Sequence, residues 1–338
     1  MQMEKAQPLL RASVDERRIP GYAVLIGQGN DLLLREAYGC AQWLPQERPM
    51  TLETMFDLAS LTKLTAVWPL IIRLLDAGKL ALDTTLPEAA GFPLERYPHL
   101  ARTTVFQLLT HTAGLVEFMD TVGETRQERL ESLYRAPLKY VPDQQVVYSD
   151  LSFIFLGEIA AHQLGMPLEE AVNTVFGPLG MRETMFNPPL EGHSFAATEI
   201  RPGQSLPVCG TVHDERAEQL DGVAGHAGLF STVDDMGRFA RAILLGHDAL
   251  PEKWVTRSFE NQTAHLNSNR ALGWIVYRAQ EGGNIVGHTG FTGTSLWMDA
   301  KNKRYCVLLT NRVHPTRANS VLGQIREDLF QIVFGAEA

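Results

Sequence analysis

The sequence contains few of the residues on which several common protein classes depend. Its three cysteines, Cys40, Cys209 and Cys306, are widely spaced and form no CxxC pair, so neither a disulfide framework nor a thiolate metal site is indicated. We expect each of them to be a buried free thiol. Lysine is scarce, at seven residues, and the formal net charge is −9. Such a chain lacks the positive charge that binds a phosphate backbone, and we expect no nucleic-acid partner.

Long apolar runs and several well-known motifs are also missing. No stretch approaches the roughly 20 apolar residues that a membrane span needs, and the first residues, MQMEKAQPLLRASVDERR, contain no apolar core of an export signal. We therefore expect no membrane span and a cytoplasmic location for the sequence as it stands, or a periplasmic or extracellular one if an export signal was removed. The motifs G-x-S-x-G, H-E-x-x-H, Walker A and G-x-G-x-x-G do not occur, which argues against the hydrolase and nucleotide-binding classes that they mark.

Hydrophobic periodicity predicts strands near both ends of the chain and helices between them. A helix within residues 4–18 precedes two strands, residues 21–27 and 31–38, that form a hairpin, and a helix runs from Ser60 to Gly78 with a kink at Pro69. Further helices are predicted at Thr104–Thr110, Gln127–Arg135, Asp150–Leu164, Leu168–Val175, Asp234–Leu245 and Ala318–Phe334. Further strands are predicted at Leu272–Tyr277, Asn284–His288, Ser295–Asp299 and Tyr305–Thr310.

This order of elements predicts an α+β fold. An antiparallel sheet would be built from both chain ends, flanked by helices, and would carry a mainly helical insertion. We expect a sheet-containing part of residues 1–75 and 205–338 and a mainly helical part of residues 76–204. The active-site cleft would lie between them, in one functional unit. Trp68, Trp274 and Trp297 occupy apolar-periodic positions and are predicted to lie in the core.

A serine and a lysine lie one helical turn apart in Ser60-Leu61-Thr62-Lys63. A serine hydroxyl is a poor nucleophile until a base removes its proton, and a desolvated lysine can be that base in its neutral form. The positive end of a helix dipole also stabilises a nearby oxyanion. The alternative interpretation is an N-cap serine with a solvated lysine on the next turn.

Two further segments follow downstream, Tyr148-Ser149-Asp150 and His288-Thr289-Gly290. With them, the sequence resembles the serine β-lactamase and penicillin-binding protein superfamily, in the branch of class C β-lactamases, DD-carboxypeptidases and related esterases. That superfamily carries S-x-x-K, Y-x-N and K-T-G or H-T-G. The resemblance covers about residues 21–311 and includes LLTHTAGL at 108–115 and GVAGHAGLFST at 222–232. It implies a β-lactamase/transpeptidase-like fold.

The resemblance implies a role for each matching residue. Ser60 would be the nucleophile that forms an acyl-enzyme, Lys63 would take or relay its proton, and Tyr148 would share the base role and protonate the leaving group. The backbone N–H groups of Ser60 and Phe291 would form the oxyanion hole. The strand edge that binds the acyl portion of the substrate would be formed by His288, Thr289 and Gly290. No metal and no organic cofactor is implied.

Asp150 departs from the family pattern, because asparagine is usual at this position. A carboxylate near Lys63 favours the ammonium form of the lysine, which shifts the preferred general base to Tyr148. Two alternatives stay open: Asp150 is protonated, or it points away and caps the following helix.

His288 is a milder departure, since it stands where most β-lactamases have lysine. A fixed positive charge for a substrate carboxylate is then lost at neutral pH unless the imidazole is protonated. The change weakens the case for efficient β-lactam hydrolysis without excluding β-lactam binding.

Other histidines and acids allow different interpretations. His213, Asp214, Glu215 and His226 could bind zinc, but their spacing fits no tight ligand motif. We instead place His226 in the cleft wall and expect His213 and Asp214 to be a hydrogen-bonded pair in a loop. A Cys209–His213 nucleophile pair has no third orienting group.

The sequence thus predicts a serine hydrolase that acylates Ser60 and hydrolyses an ester or amide, with a small molecule or peptide as partner. The substrate would be a short-chain ester, a D-amino-acid or muropeptide-type peptide, or a β-lactam. Loops at residues 117–127 and 186–208 would decide among them. The rival function is a penicillin- or peptide-binding sensor of the same fold with little turnover, and a metallohydrolase is a more distant alternative. The sequence does not indicate an oligomeric state.

Overall fold

The computed structural model describes residues 2–91, 96–278 and 282–335. Its helices are α1 (Ala6–Asp15), α2 (Trp68–Asp76), α3 (Leu86–Ala90), α4 (Val105–Thr110), α5 (Arg126–Tyr134), α6 (Asp150–Leu164), α7 (Leu168–Ala171), α8 (Asn173–Leu179), α9 (Glu215–Gln219), α10 (Val233–Leu245), α11 (Glu252–Ser258) and α12 (Leu322–Phe334). Short 3₁₀ segments occupy Gln2–Lys5, Pro98–Leu100 and Ala264–Leu266, and a π-helical segment, Lys63–Val67, leads into α2.

The strands in the described part of the chain form two sheets. They are β1 (Gly21–Gln28), β2 (Asp31–Gln42), β3 (Arg48–Pro49), β4 (Phe56–Asp57), β5 (Met185–Phe186), β6 (Leu229–Ser231), β7 (Ile275–Arg278), β8 (Ile285–Thr289), β9 (Ser295–Asp299) and β10 (Arg304–Thr310). The larger sheet has the order β3-β2-β1-β10-β9-β8-β7, and the smaller one has the order β4-β6-β5. All of their strand pairs are antiparallel. The predicted α+β fold, with a sheet built from both chain ends, is confirmed.

The alternation of side chains along β1 shows why both faces of the large sheet are covered. Tyr22, Val24 and Ile26 pack into a cluster that includes residues of α1 and α12. Ala23 and Leu25 belong to the main core on the other face, which includes residues of α2, α6 and α10. Because successive strand residues point to opposite faces, a strand that is apolar throughout must lie between two layers.

The predicted core tryptophans are confirmed. Trp68 and Trp274 lie in the main core with rings 5.3 Å apart in an edge-to-face contact, and Trp297 lies in the cluster beneath α12. Of the three thiols, only Cys306 is buried. Cys40 and Cys209 are half-buried, so the expectation of a buried thiol is wrong for these two.

Four element boundaries differ from the predictions for local reasons. The break near Pro69 is a π-helical turn on its N-terminal side, where a wider turn accommodates a residue without an N–H. Residues 272–274 bend at Gly273, whose φ is 86°, so β7 starts later. The side chain of Asn319 accepts from the N–H of Val321 and donates to Arg18, which keeps residues 318–321 out of α12. The predicted helix at 168–175 is two helices that meet at Val172.

Among the described residues, no single helix has both the length and the apolar character to cross a membrane. One bent pair, α6 with α7 and α8, meets those two criteria only when its parts are counted together.

Candidate active site

Ser60 stands at the end of a tight turn that begins in β4. Ala59, directly before it, has a φ of 47°, a left-handed conformation that is uncommon for residues other than glycine. The turn is held from within, because the Ala59 N–H donates to Asp57 Oδ1 at 2.8 Å. Burial raises the pKa of the Asp57 carboxyl. The hydrogen bonds that this carboxyl accepts from the N–H groups of His213 and Ala59 have the opposite effect but do not outweigh burial. The turn therefore holds Ser60 in a fixed position, through a backbone conformation at Ala59 that few residues adopt.

The loop after β8 packs directly on this turn. Thr292 Oγ1 donates to the Asp57 carbonyl at 2.8 Å, and Thr294 Oγ1 donates to the Leu58 carbonyl at 2.9 Å. Gly290 allows this approach, since a Cβ there would lie 2.5 Å from the Leu58 oxygen and 2.1 Å from Thr294 Oγ1. The loop that carries Phe291 is thus fixed relative to the turn that carries Ser60.

Lys63 lies one turn beyond Ser60 with its side chain fully buried. Its Nζ donates to Ser60 Oγ at 3.0 Å, to Asp150 Oδ1 at 2.8 Å and to the His226 carbonyl at 3.1 Å. An ammonium group has three N–H donors, and these three acceptors use all of them. The alternative of a solvated Lys63 is wrong.

Lys63 and Asp150 each stabilise the charged form of the other. Burial alone would lower the pKa of Lys63, but the Asp150 carboxylate and the Tyr148 hydroxyl outweigh it and raise that pKa above its usual value. Burial alone would raise the pKa of Asp150, but Lys63 and His226 outweigh it and lower that pKa. Asp150 is therefore ionised and faces Lys63. Asp150 does not cap α6, because the N-cap residue is Ser149. The lowered pKa of its carboxyl argues against the protonated alternative.

Tyr148 is held at the start of α6 by the residues that follow and precede it. The Ser149 N–H donates to His111 Nδ1 at 3.2 Å, and Ser149 Oγ donates to the Val116 carbonyl at 2.6 Å. The Tyr148 ring lies 4.7 Å from the His111 ring and 5.1 Å from Lys63 Nζ. His111, at a φ of 59°, ends α4 in a tight bend and accepts the Ser149 N–H there.

His288 lies at the end of β8 and is buried. Its Nδ1 donates to the Thr289 carbonyl at 2.9 Å, which leaves Nε2 as an acceptor without a partner among the described residues. Burial, with Arg270 and Lys63 nearby, lowers the pKa of His288 well below its usual value. The imidazole is neutral at neutral pH, so His288 supplies no fixed positive charge.

A cleft of about 730 Å³ brings most of the predicted residues together. Its lining includes Ser60, Tyr148, Asp150, His288, Thr289, Gly290 and Phe291. Lys63 and His226 are absent from this lining, and both are buried behind it. His226 therefore does not lie in the cleft wall itself, contrary to the prediction.

His226 and His213 each pair with a carboxylate, but not in the predicted arrangement. His226 Nε2 lies 3.0 Å from Asp214 Oδ1, and His213 Nε2 lies 3.1 Å from Glu199 Oε2. The expected His213–Asp214 pair is wrong, because Asp214 faces Lys63 and His226 instead. The Cys209–His213 pair does not form either, since Cys209 Sγ contacts Arg48.

Asp150, Asp214 and His226 are the one acid and histidine group among the described residues whose side chains come close enough to share a cation, with one polar atom of each within 4.8 Å of the others. Lys63 already supplies a cation beside Asp150, and Asp214 Oδ1 accepts from His226 and from two backbone N–H groups. We therefore assign these atoms to protein partners. The absence of a metal from the reaction stays a prediction.

Arg270 was missed by the sequence analysis. Its guanidinium lies 5.2 Å above the Tyr148 ring and lines the cleft, and its Nη1 is buried without a hydrogen-bond partner among the described residues. Burial lowers the pKa of Arg270. A lone arginine in a segment without a motif carries no sequence signal, because only the fold places it against Tyr148.

Comparisons with known proteins find similar chains and similar folds. A putative D-alanyl-D-alanine carboxypeptidase of Salmonella paratyphi A is 29% identical over 348 aligned positions, which cover 89% of this chain and 80% of the relative. Among solved structures, EstCE1, a hydrolase with promiscuous acyltransferase activity, superposes with a TM-score of 0.80 at 23% identity and 99% coverage of both chains. A β-lactamase/D-alanine carboxypeptidase of Pseudomonas syringae gives a TM-score of 0.77 at 22% identity and 100% coverage of both chains.

The fold, with Ser60 in the cleft and the buried Lys63 behind it, defines the protein as a serine hydrolase of the β-lactamase type. The sequence model of the Beta-lactamase family matches residues 6–329, and the chain belongs to that family. The resemblance, the fold class and the hydrolase function predicted from the sequence are thereby confirmed. The roles of individual residues stay predictions.

Proposed function

We propose that the protein hydrolyses an amide or ester bond of a substrate that carries a free carboxylate, through an acyl-enzyme on Ser60. The observation that carries the proposal is the 3.0 Å contact of Lys63 Nζ with Ser60 Oγ at the floor of the cleft. The substrate class that fits best is a peptide with a C-terminal D-amino acid. The name of the Salmonella relative, a putative D-alanyl-D-alanine carboxypeptidase, supports it.

The hydrogen bonds that Lys63 donates favour Tyr148 as the base in acylation. Lys63 donates all three of its N–H groups, one of them to Ser60 Oγ, so it cannot accept the serine proton in this state. Lys63 Nζ lies 5.1 Å and the Arg270 guanidinium 5.2 Å from the centre of the Tyr148 ring, so a phenolate there has two positive charges beside it. Ser60 would attack the carbonyl carbon while Tyr148 takes its proton and then passes it to the leaving group.

The oxyanion of the tetrahedral intermediate needs donors that are free in the resting site. Among the described residues, neither the Ser60 N–H nor the Phe291 N–H donates a hydrogen bond. We assign these two groups to the oxyanion hole, where they stabilise charge that develops only during reaction. Water then attacks the carbonyl carbon of the acyl-enzyme while Tyr148 takes its proton. The bond between that carbon and Ser60 Oγ breaks, Tyr148 returns the proton to Ser60 Oγ, and the acid product leaves.

Arg270 separates the candidate substrates. A buried guanidinium with an unpaired donor costs free energy unless an anion completes the site. His288, which is neutral, offers no positive charge at the strand edge. A terminal carboxylate, present in D-amino-acid peptides and β-lactams but not in neutral short-chain esters, would satisfy Arg270 Nη1.

A matched pair of substrates tests the substrate class. A D-alanyl-D-alanine peptide and its C-terminal amide are compared in the wild type, Arg270→Gln and Arg270→Lys. We expect the wild type to prefer the acid and Arg270→Gln to lose about ten- to hundredfold of that preference, with Arg270→Lys in between. An unchanged acid-to-amide ratio in Arg270→Gln would remove the assignment, whatever happens to the absolute rates.

The rival function, a binding protein with little turnover, is favoured by the Lys63–Asp150 ion pair, because a locked ammonium is a poor base. Intact mass after incubation with a penicillin, beside Ser60→Ala, separates the two. A Ser60-dependent adduct that decays within minutes supports the hydrolase, and one that persists for hours with every substrate supports the binding protein. An adduct of equal yield in Ser60→Ala would contradict both.

A further inference from the structure

We propose that Asp214 and His226 are positioning residues for the Ser60–Lys63 pair, with Asp214 acting as a second counter-ion that keeps Lys63 in its ammonium form. This inference rests on the proposed role of Ser60 and Lys63. It assigns a function to the buried His226 and to the half-buried Asp214, which lines the cleft but has no part in the proposed reaction steps.

The side chains of Asp150, Asp214 and His226 lie close together. One carboxylate oxygen of Asp150 and one of Asp214 lie within 4.8 Å of each other, and one ring nitrogen of His226 lies within the same distance of both. Two carboxylates so close repel each other unless cations lie between them. Lys63, which donates to Asp150 Oδ1 and to the His226 carbonyl, is a cation beside this pair and contributes to the lowered pKa of Asp214.

Asp214 is fixed in place by its own contacts. It caps α9, and its Oδ1 accepts from the N–H groups of Arg216 at 3.0 Å and Ala217 at 2.8 Å. The same oxygen lies 3.0 Å from His226 Nε2. Burial alone would raise the pKa of Asp214, but His226 and these N–H groups outweigh it, with Lys63 adding to their effect, and lower the pKa far below its usual range. Asp214 is ionised at any pH at which the enzyme would work.

His226 joins the two halves of this arrangement. Its side chain holds Asp214, and its backbone carbonyl holds Lys63 Nζ at 3.1 Å. The neighbouring Gly225 lies against α6, where a Cβ would come 2.0 Å from the Phe153 carbonyl oxygen. The His226 carbonyl is therefore fixed relative to the helix that starts with Asp150.

Several titratable groups surround Lys63 and determine how easily it loses its proton. The titratable groups that interact with Lys63 are Tyr148, Asp150 and Asp214, with the histidines His111, His226 and His288 close by. Asp57 and His213 interact with each other, and Asp214 acts on Asp57. His226 Nε2 lies beside the ionised Asp214, and His226 Nδ1 is buried without a hydrogen-bond partner among the described residues. Two carboxylates thus act on one ammonium, and removing either charge makes it easier for the lysine to lose its proton.

The variant Asp214→Asn tests the inference through two measurements, the titration of Lys63 and the pH profile of acylation. Asparagine caps a helix as well as aspartate does, so α9 is retained while the charge is removed. With lysine labelled at 13Cε, the seven lysines give seven signals, and Lys63→Arg identifies the one from Lys63. We expect the Lys63 signal to titrate about one pH unit lower in Asp214→Asn, with the other six unchanged. The pH profile of Ser60 acylation should move in the same direction.

Two control variants make the outcome specific. Glu199→Gln removes the carboxylate from the other buried histidine–acid pair and should leave the Lys63 titration in place. His226→Gln keeps an N–H donor toward Asp214 and should shift the titration less than Asp214→Asn does. An unmoved Lys63 signal in folded Asp214→Asn, or an equal shift in Glu199→Gln, would overturn the inference.

Failure of this inference can be told from failure of the proposed function. If Ser60→Ala abolishes acylation but Asp214→Asn leaves the Lys63 titration unchanged, only the positioning role is lost. If Ser60→Ala keeps full activity, the proposed function fails, and the lysine titration still reports whether Asp214 acts on Lys63.

Discussion

Lys63 Nζ and Asp150 Oδ1 lie 2.8 Å apart, and the lysine side chain is fully buried while 20% of the aspartate side chain is exposed. The ion pair therefore reaches from the core to the floor of the cleft. Because the asparagine that the family pattern favours would carry no charge at this position, the carboxylate should set the pH at which the site works.

Asp150→Asn should shift the pH dependence of acylation to lower pH. Loss of the negative charge lowers the pKa of Lys63, and any group that shares its proton follows. We expect the pH of half-maximal acylation to fall by about one unit or more, measured by stopped-flow kinetics with a chromogenic ester. Asp143→Asn removes a carboxylate bonded to Gln107 and Thr112 and should not move the profile. An upward shift in Asp150→Asn would contradict the coupling.

Lys63→Met should destabilise the fold and abolish acylation. The substitution leaves Asp150 without its cation, and we expect a loss of about 3 kcal/mol in the free energy of unfolding. The double variant Lys63→Met/Asp150→Asn should recover most of that stability and none of the activity. Urea denaturation and acylation rates, taken together, separate the two effects. Activity in the double variant would show that Lys63 is dispensable.

Gly290→Ala should impair catalysis through the backbone. The added methyl group would meet the Leu58 oxygen at 2.5 Å and Thr294 Oγ1 at 2.1 Å, which forces the Phe291 loop away from the Ser60 turn. We expect kcat/KM to fall about 100-fold. Gly177→Ala, in α8, would place its methyl group more than 4 Å from the neighbouring atoms of the described residues outside its own helix backbone, and it serves as the control for a glycine-to-alanine change. Equal rates for the two variants would show that the loop position is unimportant.

His288 should make the fold less stable as the pH falls. Its pKa is lowered in the folded state, so below about pH 6.5 the unfolded chain binds a proton that the folded protein does not. The wild type should lose up to about 1.4 kcal/mol per pH unit more than His288→Asn does between pH 6.5 and 5.5. Urea titrations at three pH values measure the difference. The exposed His265→Asn should keep the slope of the wild type, and identical slopes for His288→Asn would mean that His288 is protonated in the fold.

The sequence predicted elements where a period could be followed over enough residues. The helix Asp150–Leu164 and the strand Ser295–Asp299 were predicted with the bounds that the structure shows. The small sheet was missed, because β4 and β5 have two residues each and two residues carry no period. Its strands exist only because Phe230 brings Asp57 and Met185 to its two sides.

Site residues could be predicted only where a sequence motif or a charge argument marks them. Ser60, Lys63 and Tyr148 could be found because motifs mark them, and Lys63 could be linked to Asp150 by electrostatic reasoning. The partner of His226 could not, since the spacing of Asp214 and His226 along the chain does not reveal that α9 and the 222–228 loop meet behind Lys63. The predicted division into residues 1–75 with 205–338 and 76–204 stays a prediction.

The centre of the large sheet joins the two ends of the chain, since β1 pairs with β10 in a register that places Tyr22 opposite Thr310. During synthesis, the β1–β2 hairpin must therefore wait with one open edge until almost the whole chain has left the ribosome. Contacts of such long range slow folding, and an unpaired apolar strand edge promotes aggregation. Chains that end before Arg304 should be targets for chaperones and proteases rather than partly active enzymes.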